Sequence, residues 1–292
     1  YTGATNINGG SLNIQNVDAL GATSTGTSVA NAASLQLQGG FSYAAEPLTL
    51  TPGVSGTAML WNVSGDNTWN GPITSNTSTA TNSSRIKSDA GTLTLAGLIT
   101  LSGSAHQLVL LGDGAITVSG QITGVGGLTS GFGALGIRIV SNNTNNYTGE
   151  TAINAGTLVG IGANAFGSTS GISIASIGTL SLRGDATTAF QRADTNAPYT
   201  LSTNNTFATI NVDAATGDTT AKTMSAGALN TTYTAASYQV NFTGANNTSL
   251  SLGAMTGAAS TAAGTVVINN NIASTGTLTL ASYTSANTAD GE

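Results

Sequence analysis

Asn145-Asn146-Tyr147-Thr148-Gly149-Glu150-Thr151-Ala152-Ile153-Asn154-Ala155-Gly156-Thr157-Leu158 is the stretch on which the fold turns. It reads as a turn, a short strand, a glycine corner and the start of a second strand, because β-branched and apolar residues are bracketed by Asn and Gly. A second copy opens the chain as Tyr1-Thr2-Gly3-Ala4-Thr5-Asn6-Ile7-Asn8-Gly9-Gly10-Ser11-Leu12. Tyr1 falls inside the motif, which leads to the expectation of a segment belonging to a longer polypeptide.

Around this stretch the chain repeats one kind of run. Ser11-Leu12-Asn13-Ile14, Ser34-Leu35-Gln36-Leu37, Thr92-Leu93-Thr94-Leu95, Ala115-Ile116-Thr117-Val118, Thr179-Leu180-Ser181-Leu182 and Thr277-Leu278-Thr279-Leu280 alternate apolar with small or polar residues. A period of two puts the aliphatic side chains on one face and the others on the opposite face. Strong helix formers are scarce and β-branched residues common. The runs recur at a nearly constant interval: Leu12 is followed by Leu35, Leu93 by Ile116 and Leu158 by Leu180. One strand per ~20–25 residues is the signature of a solenoid, whose coils bury their apolar faces only by stacking.

The composition agrees. Charged residues are 6% of the 292, against about 25% in ordinary soluble domains. In a stack with strands ~4.8 Å apart, like charges on successive coils would repel, whereas Thr, Ser and Asn can ladder. An apolar fraction of 39% and a net charge of −6 argue against disorder. The six basic residues, Arg85, Lys87, Arg138, Arg183, Arg192 and Lys222, are too few to neutralise a phosphate backbone or an anionic membrane surface. With no cysteine there is neither a disulfide framework nor a thiolate metal site. No apolar run approaches the ~20 residues of a membrane helix.

A longer repeat joins the two copies. Tyr1 recurs as Tyr147, half the chain later, and Asp18-Ala19-Leu20-Gly21 matches Asn164-Ala165-Phe166-Gly167 at the same offset. The chain is thus expected to be one continuous rod, with repeat-like units at 1–146 and 147–292 and an irregular or decorated region at about 187–247. Residues 46 to 54, with Pro47 and Pro52, read as a loop. Length divided by period predicts ~12–14 coils, a rod about 60 Å long at ~4.8 Å per coil.

The Asn145–Leu158 stretch resembles the autotransporter-associated β-strand repeat, also called the passenger-associated transport repeat, whose pattern runs N-x-Y-T-G-x-T-x-I-x-x-G-x-L. Asp66-Asn67-Thr68-Trp69-Asn70-Gly71-Pro72-Ile73 is similar to a companion segment of such proteins, and Gly91–Leu95 and Gly120–Gly124 also fit. The resemblance covers most of residues 1–40 and 60–185. It implies a right-handed parallel β-helix in a large secreted or surface-bound bacterial protein. The C-terminal Asp290-Gly291-Glu292 lacks the aromatic terminal residue of a translocator barrel, so self-export is not implied by this segment.

Candidate sites are few. Polysaccharide lyases and glycosidases on such scaffolds need clustered carboxylates with a nearby cation. The best local group here is Asp185, Arg192 and Asp194, followed by Asp213 and Asp218. The reading of a solvated loop outweighs the catalytic or calcium-binding one. His106 is the single histidine, too few for an imidazole metal site or a nucleophile relay, and reads as a turn residue. Gly124-Val125-Gly126-Gly127 and Gly131-Phe132-Gly133 lack the Lys and helix of a phosphate loop and read as corners. Trp61 and Trp69 flank a Gly-Asp-Asn turn; they read as cover for the coil stack ahead of a sugar-stacking platform. Tyr1 and Tyr147 read as packing residues. Asn82-Ser83-Ser84 and Asn146-Tyr147-Thr148 match the glycosylation triplet only as chance in an Asn- and Thr-rich chain.

The function expected from sequence is a non-enzymatic extracellular structural segment of a bacterial surface protein: a stalk, fibre or adhesin passenger. Its expected partners are copies of itself, forming filaments, or neighbouring segments of its own long chain, with surface glycans as a further class. No catalytic, cofactor-binding or metal-binding residue is assigned, and no nucleic acid or membrane insertion is expected. The alternative is a carbohydrate-binding or carbohydrate-cleaving β-helix with a site near residues 183–222.

Overall fold

Leu93 and Leu95 are buried while Thr92 and Thr94 face outward, as the alternation demands. The same inward–outward pattern recurs from strand to strand, and the strands stack. The computed structural model describes residues 1–53, 56–76, 83–103, 107–131, 135–175, 177–204, 207–232, 237–258, 265–273 and 275–286. These contain thirty strands and no helix. Apart from one isolated antiparallel bridge, Gln191 with Pro198, the pairings are parallel, and the chain winds as a β-solenoid of about ten turns. The three sequence intervals are register partners in space: Leu12 pairs with Leu35, Leu93 with Ile116 and Leu158 with Leu180.

Three sheets form the walls. The first has six strands, from Thr5–Ile7 to Ile122–Gly124. The third has ten, from Ser42–Tyr43 to Thr265–Ile272. The second, of fourteen strands, begins at Gly10–Ile14. After Gly124 the first wall changes character. Its place is taken by arcs of irregular backbone, which remain tied to the strand below: Asn146 N donates to Ile122 O (3.0 Å) and Thr148 N to Gly124 O (3.0 Å), and Ser168 N then donates to Tyr147 O (2.9 Å). Farther along, a strand face returns. Lys222–Ala226 pairs with Thr248 to Leu252, while Leu229–Thr232 pairs with Met255 to Ala258 of the same long strand. That strand, Thr248–Ala258, therefore runs across two pairing partners in one pass.

The turns are unequal, which corrects the coil count. The step between register partners is short in the first turns, from Thr5 to Thr27 and from Leu12 to Leu35. It is clearly longer later, from Leu180 to Ile210 and from Ile210 to Phe242. About ten turns replace the expected 12–14, for a stack about 48 Å long at ~4.8 Å per turn. The loop expected at 46–54 also carries a strand, Leu48–Leu50, with both leucines buried; Val54 lies outside the described residues. The irregular region at 187–247 holds strands of the second and third sheets, separated by excursions at 190–200 and 214–221.

One apolar cluster runs from Ile7 to Met255. Its aliphatic columns are interrupted by aromatic pegs: Trp69 beside Tyr43, ring centroids 6.0 Å apart, and Phe166 edge-on to Tyr199 at 5.8 Å. Phe166 fits because position 160 is glycine; a Cβ there would collide with its ring.

Candidate functional site

The acidic group proposed from sequence separates into local partnerships. Arg192 holds Asp194 through two hydrogen bonds, Nε to Oδ1 at 3.0 Å and Nη2 to Oδ2 at 2.8 Å, and its Nη1 donates to Thr169 O at 3.2 Å. The hydrogen-bonded guanidinium holds the Asp194 carboxyl at about 2, below the usual carboxylate range. Asp213 Oδ1 accepts from Ala214 N (2.8 Å) and from Asn246 Nδ2 (2.7 Å). Asp218 accepts from Thr220 N (3.1 Å) and is ion-paired with the Lys222 ammonium at 3.4 Å, which also donates to its backbone carbonyl. The Thr220 hydroxyl and amide are the main reason its pKa is lowered. Asp185 accepts from Thr216 N at 2.9 Å, which lowers its pKa, while the nearby Asp218 charge opposes that shift. Asp185 is thus tied to the 214–221 excursion that carries Asp218, whereas the Arg192–Asp194 pair is closed on itself. Among the described residues no three His, Cys, Asp or Glu side chains converge as a metal site would require.

The two tryptophans do not form a platform. Trp69 is fully buried in the core, while Trp61 faces outward from the second sheet. Trp61 Nε1 donates to Asp89 Oδ2 at 2.9 Å, the Lys87 ammonium sits 4.6 Å from its ring centre, and Lys87 pairs with Asp89 at 2.7 Å. Of the glycine runs, Gly124 and Gly131 have positive φ, 107° and 73°, as corner residues do. His106, Phe132, Gly133, Asn82 and residues 287–292 lie outside the described residues.

Tyr147 is fully buried, and its hydroxyl bonds Thr151 Oγ1 at 2.7 Å; Thr151 Oγ1 in turn donates to Thr169 Oγ1 at 3.1 Å. Tyr199 Oη donates to Gly167 O (2.9 Å), Tyr43 Oη to Ile14 O (3.2 Å), and Tyr238 Oη to Thr203 Oγ1. Tyr43, Tyr199 and Tyr238 each thus pin their own turn to a neighbouring one, whereas Tyr147 reaches the next turn only through Thr151 and Thr169. Burial raises all four phenol pKa values, that of Tyr238 to about 12.

A polar spine inside the corner between the second and third sheets escaped sequence reading. Asn67 Nδ2 donates to Asn62 Oδ1 (2.6 Å), and Asn62 Nδ2 to Ser88 Oγ (3.0 Å) and Ala90 O (3.1 Å). Asn67 Oδ1 accepts from Gly40 N and Phe41 N. Farther up, Arg138 is fully buried, donating to Gly114 O at 3.2 Å and Gly112 O at 2.5 Å. Its Nε finds no partner, and burial lowers its pKa to about 10. Ile137-Arg138-Ile139-Val140 taken alone suggests inward isoleucines at 137 and 139. The stack decides otherwise, because Arg138 pairs with Ile116 below and Leu158 above, both core positions. The signal that could have found it was the place of Arg138 midway between two aliphatic registers, one turn before it and one turn after. These groups satisfy corner carbonyls and amides that the ladder cannot reach.

No family model matches the chain, and no curated protein or solved structure does.

Proposed function

We propose that this chain is a load-bearing, non-catalytic segment of a bacterial surface protein, a stalk or adhesin passenger exposed outside the cell. The observation that carries the reading is the unbroken apolar cluster from Ile7 to Met255, walled by continuous parallel ladders. A solenoid of this kind transmits force through stacked hydrogen bonds and hides its interior from proteases. The buried phenols and the Asn62–Asn67–Ser88 spine support the reading, since their polar groups join one turn to the next. The motif resemblance of residues 145–158 supports the surface setting.

The test is protease shaving of intact producing cells, with mass spectrometry of released peptides and of peptides from the lysed control. Peptides from the excursions at 190–200 and 214–221, released from intact cells while the strands stay uncut, are the expected result. Peptides found only after lysis would place the chain inside the cell and end the proposal.

A further inference from the structure

Among the described residues an Asn or Asp precedes a Gly at Asn8-Gly9, Asn70-Gly71 and Asp113-Gly114. The fold treats these links differently. Asn8, Gly9 and Gly10 form an exposed corner between the strands Thr5–Ile7 and Gly10–Ile14. A Cβ added at Gly9 or Gly10 would meet nothing within 4 Å. Among the described residues neither the Asn8 side chain nor the Gly9 N–H has a hydrogen-bond partner. Asn70 is exposed as well, but its Nδ2 donates to Ser42 Oγ (3.0 Å) and Tyr43 O (2.5 Å). Gly71 beside it is buried, and a Cβ there would lie 1.8 Å from Glu46 O. Gly114 N already donates to Ser88 O at 2.9 Å. The second copy of the motif has Asn154-Ala155 where the first has Asn8-Gly9. Ala155 is buried, and Asn154 N (2.9 Å) and Ala155 N (3.4 Å) both donate to Ser130 O.

We propose that Asn8–Gly9 is a self-modifying site, where the backbone converts the asparagine to aspartate and isoaspartate with water as co-reactant. The Gly9 nitrogen attacks Asn8 Cγ and gives up its proton. The Cγ–Nδ2 bond breaks and the side-chain nitrogen leaves as ammonia, which closes a five-membered imide. Water then opens the ring. Cleavage between the imide nitrogen and Cγ yields aspartate. Cleavage between that nitrogen and the main-chain carbonyl carbon yields isoaspartate, whose backbone runs through Cβ. No atom is oxidised or reduced. The attack needs an unshielded nitrogen, a side chain free to swing toward it and room for the ring. Glycine, lacking a Cβ, supplies the first and the third. The unbonded Asn8 side chain supplies the second. At Asn70 the amide is tied to the preceding turn, and at Gly114 the nitrogen is already engaged. Conversion at either has to wait for local opening. Both products add a negative charge to the Asn8 corner, and isoaspartate also lengthens the backbone immediately before the strand that pairs with Ala33–Gln38. The inference stands apart from the scaffold reading.

The test is to hold the purified chain at mildly alkaline pH, folded and in denaturant, and to locate each conversion of Asn to Asp or isoaspartate by fragmentation mass spectrometry. In denaturant Asn8 and Asn70 should convert at similar rates. In the folded chain Asn8 should keep a rate close to its denatured one, while Asn70 slows by more than about tenfold. Gly9→Ala fits the open corner, so it should keep the β-sheet circular dichroism signal and slow Asn8 several-fold. Protection of Asn8 by folding as strong as that of Asn70 would overturn the inference. So would an unchanged Asn8 rate in Gly9→Ala, which would mean hydrolysis of the side-chain amide without backbone attack.

Discussion

Residues 1–22 and 147–168 are two copies of one sequence motif with one local structure and two different environments. The Tyr1 hydroxyl meets Thr5 Oγ1 at 2.6 Å, and the Tyr147 hydroxyl meets Thr151 Oγ1 at 2.7 Å. Gly10 and Gly156 both have φ of 69°. Gly21 N donates to Asp18 O and Gly167 N to Asn164 O, both at 3.0 Å. Above each tyrosine the next turn is tied the same way, Ala22 N to Tyr1 O (3.0 Å) and Ser168 N to Tyr147 O (2.9 Å). Yet Tyr1 is 67% exposed and Tyr147 fully buried. The first copy's strands, Thr5–Ile7 and Gly10–Ile14, lie in the first and second sheets; those of the second copy, Thr151–Ile153 and Gly156–Ile161, lie in the second and third. The motif therefore encodes a strand, a glycine corner and a strand, and leaves its position around the axis open. Burial, and with it most of the stabilisation, comes from the turns above and below.

That difference can be broken at its strongest point first. Leu158→Asn should cost ~3–5 kcal/mol in denaturant unfolding, through lost burial and a buried amide without partners. Leu180→Asn should cost the same. The outward neighbours Thr157→Asn and Thr179→Asn should each cost under about 1 kcal/mol. Leu12→Asn, the first-copy equivalent of Leu158, should resemble the threonine variants, because Leu12 is 37% exposed where Leu158 is fully buried. Equal losses on both faces would defeat the assigned register.

A smaller effect isolates the tyrosine pin. Tyr147→Phe removes only the hydroxyl and should cost about 1 kcal/mol, whereas Tyr1→Phe should leave the melting temperature unchanged. A comparable loss in both copies would mean that the local hydrogen bond carries the stability without help from burial.

Alkaline pH probes the same contrast without mutation. The folded pKa of Tyr238 is raised to about 12, and those of Tyr43, Tyr147 and Tyr199 are raised as well. Their neutral forms favour the fold, so this stability is fully present below the unfolded value of about 10 and is lost as pH rises past it toward 12. Tyrosinate absorbance of these four should appear together with loss of the β-sheet circular dichroism signal. Full ionisation with the fold intact would contradict their burial. Gly156→Ala should have the smallest structural reach, costing about 1–2 kcal/mol through its left-handed backbone and leaving the sheets unchanged by circular dichroism.

Much of this fold was legible in the sequence because a parallel stack repeats its own pattern. Alternation gave the inward leucines, and the near-constant intervals gave three true register pairs. What escaped was whatever the stack decides and local alternation does not. Arg138 points inward because Ile116 and Leu158 do, and the Asn62–Asn67–Ser88 spine exists because two corners meet in space. The longer turns, from Leu180 to Ile210 and on to Phe242, were hidden by excursions with no period of their own. Of the candidate site, the grouping of Asp185, Arg192 and Asp194 was legible, but the pairing of Arg192 with Asp194 and the closure of each other acid on a nearby donor were not.

The central claim is parallel, in-register stacking of successive turns, and cross-strand nuclear Overhauser contacts test it most directly. The account predicts Hα-to-amide contacts linking Leu12 with the Leu35 rung, Leu93 with the Ile116 rung and Leu158 with the Leu180 rung, all in parallel geometry. Contacts of antiparallel hairpins, or a shift of one residue along any of these pairs, would contradict it.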